Sequence, residues 1–244
     1  MRKVLIIHGK LDTLSNVLAF VDWFFKETNA TPLYSSGATD RLGGFKRNRS
    51  KITLLENVEV RGSKSSSSIA QCDYYLAFES GRSGSIVAIV QFPTVHFQAL
   101  DLLIENLQGL CCIDYCFVWT SPYFENAWYA LGAVDAKLFG YGNEADDICK
   151  WDQDELRIHQ CFSGRLRDIY HWNYVDSRFV ELIADIKHWN LENSGALSES
   201  TKGRLFCFTA PTFGVREKLR VALRAKGKLI CEHPFPGDGI DSSW

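Results

Sequence analysis

At 244 residues, with 46% hydrophobic and 23% charged residues, the chain has the length and composition of a folded protein with a sizeable core. A net charge of −2 excludes the chain-wide positive field of a general nucleic-acid binder. The basic start Met1-Arg2-Lys3 is followed only by Val4 to Ile7 before His8, Gly9 and Lys10, too short an apolar run for a signal-peptide core. No stretch approaches the ~18 apolar residues that cross a bilayer, so a soluble cytoplasmic protein is expected.

Lys3 to Ile7 predicts a buried strand. Leu14, Val17, Leu18, Val21, Phe24 and Phe25 recur at helical spacing and predict an amphipathic helix over 14–28. The chain then turns polar and basic to about residue 51, and Ile52 to Val60 is strand-like. Ser63-Lys64-Ser65-Ser66-Ser67-Ser68 has too little apolar surface to pack and predicts a loop. Cys72 to Glu79 and Ser85 to Phe92 are aromatic and β-branched and flank Gly81-Arg82-Ser83-Gly84, which predicts a β-hairpin.

Two later segments echo one another. Pro93-Thr94 precedes a helix bearing Phe97, Leu100, Leu103, Ile104 and Leu107, ended by Gly109 and followed by a strand from Ile113 to Thr120. Pro211-Thr212 precedes a helix bearing Val215, Leu219, Ala222 and Leu223, ended by Gly227 before Leu229 to Cys231. Proline withholds a donor, threonine caps the helix amides and glycine closes in the left-handed conformation. Duplicated βαβ-type halves and independent reuse of good caps both fit this echo. Between them lie a helix around Phe124 to Phe139, an acidic segment, a polar and aromatic knot at 164–174, and a helix carrying Phe179, Leu182, Ile183, Ile186 and Trp189. A polar loop follows from Asn193 to Gly203. The whole reads as one α+β domain over 1–244 with a mixed sheet and helices packed on it, possible halves 1–121 and 122–233, and a tail from 234 to 244.

No catalytic constellation emerges. His8-Gly9 resembles the turn beside a hydrolase oxyanion hole, but the Gly-x-Ser-x-Gly elbow has no match. Gly81-Arg82-Ser83-Gly84-Ser85 comes nearest and falls in the hairpin turn. Gly37 to Gly44 lacks the residues of a phosphate loop. His159-Gln160-Cys161, and Cys112 with Cys116, are isolated pairs without a second pair at zinc spacing. Asp152-Gln153-Asp154 lacks the glycine and glutamate of a calcium loop. The eight cysteines sit mostly in apolar segments and read as reduced core residues. No metal or cofactor is expected.

Two charge runs remain. Arg41, Lys46, Arg47, Arg49 and Lys51 place only cations in 41–51, which reads as a solvated loop or as a phosphate contact. Glu144, Asp146, Asp147, Asp152, Asp154 and Glu155 interleave with Tyr141 and Trp151. That run reads as a solvated acidic loop or as a contact surface, where carboxylates steer a basic partner and aromatics anchor it.

The segment Gly164-Arg165-Leu166-Arg167-Asp168-Ile169-Tyr170, then Asn173-Tyr174 and a helix through Leu182, resembles a signature of bacterial immunity proteins associated with type VI secretion and other polymorphic toxins. The later order, a polar loop, a strand from Leu205 to Thr209, a helix and Gly227-Lys228-Leu229-Ile230, is similar too. The resemblance covers about residues 160–231, and His171-Trp172 falls outside its pattern. It implies a non-enzymatic inhibitor that occludes the active site of a cognate toxin effector acting in the cytoplasm. Given the acidic segment, a nuclease with a basic surface is the expected partner, with no direct nucleic-acid or membrane contact by this chain. Tyr141, Glu144, Asp146, Asp147, Trp151, Asp152, Asp154 and Glu155 are the expected contacts. Arg165, Arg167, Asp168 and Asn173 are expected to be structural, an Arg–Asp pair and a capping Asn leading into the next helix. The rival expectations are a hydrolase built on the His8-Gly9 turn and a nucleic-acid accessory protein using 41–51.

Overall fold

The computed structural model describes residues 2–11, 15–36, 43–54, 57–65, 72–80, 85–93, 100–121 and 164–229. The chain divides into two compact units, Met1–Ile113 and Asp114–Trp244. The fold is α+β. Its ladders are antiparallel, and parallel pairing occurs at an isolated bridge between Leu166 and Leu229.

In the first unit the strands are β1 (Arg2–Leu11), β2 (Thr31–Ser35), β3 (Gly43–Gly44), β4 (Asn57–Ser63), β5 (Tyr74–Ser80) and β6 (Ser85–Pro93), in the spatial order β3-β2-β4-β5-β6-β1. Val4, Leu5, Ile6 and Ile7 on β1 are fully buried, so both faces of the strand are covered. That is why its sequence is continuously apolar instead of alternating. β5 and β6 form the hairpin that their composition predicts, in register from Tyr75↔Gln91 to Ser80↔Ile86.

Helix α1 (Ser15–Glu27) lays Val17, Phe20, Val21, Phe24 and Phe25 into the core. Phe20 meets Phe78 edge-on at 5.7 Å and Phe24 meets Tyr74 at 6.3 Å, which seats the helix on β5. Each such side chain contributes about 1.5–3 kcal/mol through burial. A short α2 (Phe45–Asn48), a 3-10 turn (Arg49–Leu54) and α3 (Leu100–Leu110) complete the unit.

The second unit holds the order β7-β8-β10-β9, formed by β7 (Cys111–Ser121, which begins at the close of the first unit), β8 (Trp172–Asp176), β9 (Ser198–Lys202) and β10 (Leu205–Thr209). Helices α4 (Val180–Glu192) and α5 (Phe213–Ala225) pack against each other and bury Leu182, Ile186, Trp189, Leu219 and Leu223. Thr212 caps α5 as its sequence predicts, its Oγ1 accepting from the Val215 amide at 3.3 Å. Gly227 closes the helix at φ +66°. Asn190 pins the following loop, accepting from the Leu197 amide at 2.7 Å and donating to its carbonyl at 3.3 Å.

Several local expectations change. His8 and Gly9 are not a turn; both lie inside β1, paired with Val87 and Ile86. Ile52 to Leu54 belongs to the 3-10 turn, so the strand begins only at Asn57. Gly109 lies within α3, which runs one residue past it. Ser198 to Lys202 is a strand where its polarity predicts a loop.

Candidate interaction surfaces

The knot at 164–174 is a buried strut. Gly164 enters it at φ +82°, and the Leu166 amide donates to the Lys228 carbonyl at 2.9 Å. Arg167 and Asp168 are fully buried, and Arg165 is half-buried. The Asp168 carboxylate accepts from the Ile169 amide at 2.8 Å and from Arg220 at two atoms, Nε at 2.6 Å and Nη2 at 3.0 Å. Arg220 also donates to Glu217 and to the Ile169 carbonyl. Asp168 thus takes its bidentate partner from α5, a residue outside the motif.

Asn173 does not cap a helix. From within β8 its Oδ1 accepts from the Tyr170 amide at 3.1 Å, while its Nδ2 donates back to the Tyr170 carbonyl. Tyr170 stacks on Phe117 with centroids 4.0 Å apart and planes at 9°, and Arg167 lies 5.7 Å over the same Phe117 ring. Tyr115 donates to the Asp168 carbonyl oxygen at 3.3 Å. Burial, reinforced by Tyr170 and Asp168, holds its phenol well above the ordinary range. Charge this deeply buried is tolerated only when paired and hydrogen-bonded. These buried side chains tie the strut to β7, β8 and α5.

A second charged cluster sits on the same unit and does reach solvent. Asp114 and Asp176 are buried, yet both engage Arg178, whose side chain is 61% exposed. The Arg178 amide and Nε both donate to Asp176 Oδ1 at 2.9 Å. That hydrogen bond is the largest cause of the raised Arg178 pKa. Arg204 reaches Asp176 Oδ2 at 3.6 Å and is likewise exposed. Buried carboxylates therefore anchor two outward guanidinium groups, the kind of oriented arginine that protein interfaces favour. Sequence reasoning missed this cluster. Its one local signal is Asp176-Ser177-Arg178 at a strand end, an Asx-type turn.

The expected contact residues Tyr141, Glu144, Asp146, Asp147, Trp151, Asp152, Asp154 and Glu155 lie outside the described residues, as do Arg41, Ser83, His159 and Cys161. The described part of the basic run is folded rather than an open loop. Lys46 and Arg47 are on α2, Lys51 is on the 3-10 turn, and Arg49 pairs with Asp22 of α1. The turn needed by the hydrolase reading is absent, since Gly9 is held flat in β1 against the Cys112 carbonyl. Among the described residues no group of three or more His, Cys, Asp and Glu gathers as a metal site. No described helix is long and apolar enough to cross a membrane.

No protein-family model matches this chain, and no curated protein does. In structure it is similar to the Pseudomonas aeruginosa T6SS protein PA0821, with a TM-score of 0.54 and 11% sequence identity. The match covers 97% of this chain and 77% of that one. The likeness is one of fold.

Proposed function

We propose that this chain is an immunity protein of a T6SS-type toxin system, a non-enzymatic antidote that binds a cognate effector in the cytoplasm and covers its active site. The observation that carries this reading is the fold shared with a T6SS protein over 97% of the chain. The immunity-type motif at 164–174 supports it, because that motif forms a rigid strut suited to holding a surface in shape. The proposed partner is a nuclease with a basic active-site surface, met by Tyr141, Trp151 and the carboxylates from Glu144 to Glu155. Opposed charge there speeds encounter, and a few aromatic anchors give residence.

The test is co-expression with the effector encoded beside this gene. Growth rescue together with a stoichiometric complex is expected. A toxin that kills equally with and without this chain overturns the proposal. Reversing Asp152 and Asp154 to lysine is expected to slow association and change its salt dependence. Unchanged association kinetics would move the contact to another face.

A further inference from the structure

Between α1 and α3 of the first unit runs an open groove of about 480 Å³, lined by Ala19, Phe20 and Trp23 on one side and Glu105, Asn106 and Gly109 on the other. The two small residues open it; a Cβ built on Gly109 would meet nothing within 4 Å. Phe20 is buried, and its ring lies 5.5 Å from that of Trp23, which supports the half-buried indole from below.

The opposite wall is polar and one-sided. Glu105 is exposed and has no ion-pair partner among the described residues. Asn106 uses one N–H of its Nδ2 on the Leu102 carbonyl at 2.9 Å, and its amide oxygen is an acceptor on the same wall. The groove therefore pairs an aromatic wall with a carboxylate and an amide oxygen, both acceptors. A planar cation with several N–H donors answers all three at once: it stacks on the indole, pairs with the carboxylate and donates to the amide. An ammonium supplies charge without the plane, and an apolar side chain would strand the acceptors.

We propose that this groove receives an arginine side chain presented by a partner protein. The inference stands on the groove and does not depend on the toxin reading.

The test is titration of the full chain with acetyl-Gly-Arg-Gly-amide, followed by the Trp23 indole resonance and the Glu105 and Asn106 amides in a nitrogen-correlated NMR spectrum. Trp23→Phe identifies the indole signal. Saturable shifts at those three residues are expected. Replacing arginine with its uncharged isostere citrulline should weaken binding roughly fivefold or more, as should replacing it with lysine. Glu105→Gln, at an exposed helix position, should weaken the arginine peptide and leave the citrulline peptide unchanged. Absence of shifts at the groove, equal binding of the citrulline or lysine peptide, or an unaffected Glu105→Gln variant would each overturn the proposal. The titration uses no effector, so its failure is distinct from a failure of growth rescue.

Discussion

Arg220 grips Asp168 through both carboxylate oxygens, at 2.6 and 3.0 Å, with each side chain only 1% exposed. This pair joins α5 to the strut at 164–174. Removing one partner leaves the other charged and buried, so Arg220→Met or Asp168→Leu alone should each cost about 3–5 kcal/mol. The double replacement should recover much of that loss, because the two opposite charges leave together. Urea unfolding of the two single variants and the double variant checks this. Losses that simply add would mean the two side chains act separately.

Gly9 and Gly109 should respond to alanine with opposite signs. A Cβ at Gly9 would fall 2.1 Å from the Cys112 carbonyl oxygen, backbone against backbone. Gly9→Ala should therefore destabilise the protein by about 1–3 kcal/mol, the usual cost of overpacking. Gly109 lies inside α3 with open space around it. There the alanine should stabilise by roughly 0.5–1 kcal/mol. Thermal melts of the two variants side by side read the difference.

Lys3 lies buried on β1, and burial lowers its pKa from 10.5 to about 8. Between those values the unfolded chain holds the proton that the folded one has released. The Lys3 contribution to stability should therefore rise as pH climbs through that interval. Tyr74 works the other way at higher pH, since burial raises its pKa to about 12 and its contribution falls once the pH passes 10.0. Comparing wild type with Lys3→Met isolates the lysine. The stability gap between them should change in favour of wild type from pH 8 to 10.5, and parallel curves would refute the burial account.

Asn173 both accepts from and donates to the Tyr170 backbone. Asn173→Ala should cost about 1–3 kcal/mol, because two buried backbone groups lose their partner. Asn173→Asp keeps the acceptor for the Tyr170 amide and loses the donor to its carbonyl. Faster hydrogen exchange at the Tyr170 amide is expected in the alanine variant.

Elements specified by local pattern were legible in the sequence. The helical period of Val17, Val21, Phe24 and Phe25 yields α1, the aromatic and β-branched runs yield the β5–β6 hairpin, and Thr212 caps α5. Features that depend on distant partners were not. His8 looks like the polar end of an apolar run, yet the pairing of β1 with β6 carries the strand on to Leu11 and buries the imidazole. Ser198 to Lys202 shows no apolar alternation and becomes a strand only by pairing with β10. Asp168 finds its cation on α5, at a spacing no local motif encodes. The Arg178 cluster likewise draws on β7, β8 and the turn between β9 and β10. The groove between α1 and α3 was invisible because its two walls come from helices far apart in sequence.

The outermost strand of the second unit, Ser198-Glu199-Ser200-Thr201-Lys202, is exposed along nearly its whole length. An open margin of that kind invites another chain to add itself, and hydroxyls with charges of both signs make it a poor template for doing so. Self-pairing of two copies along this border is thereby disfavoured.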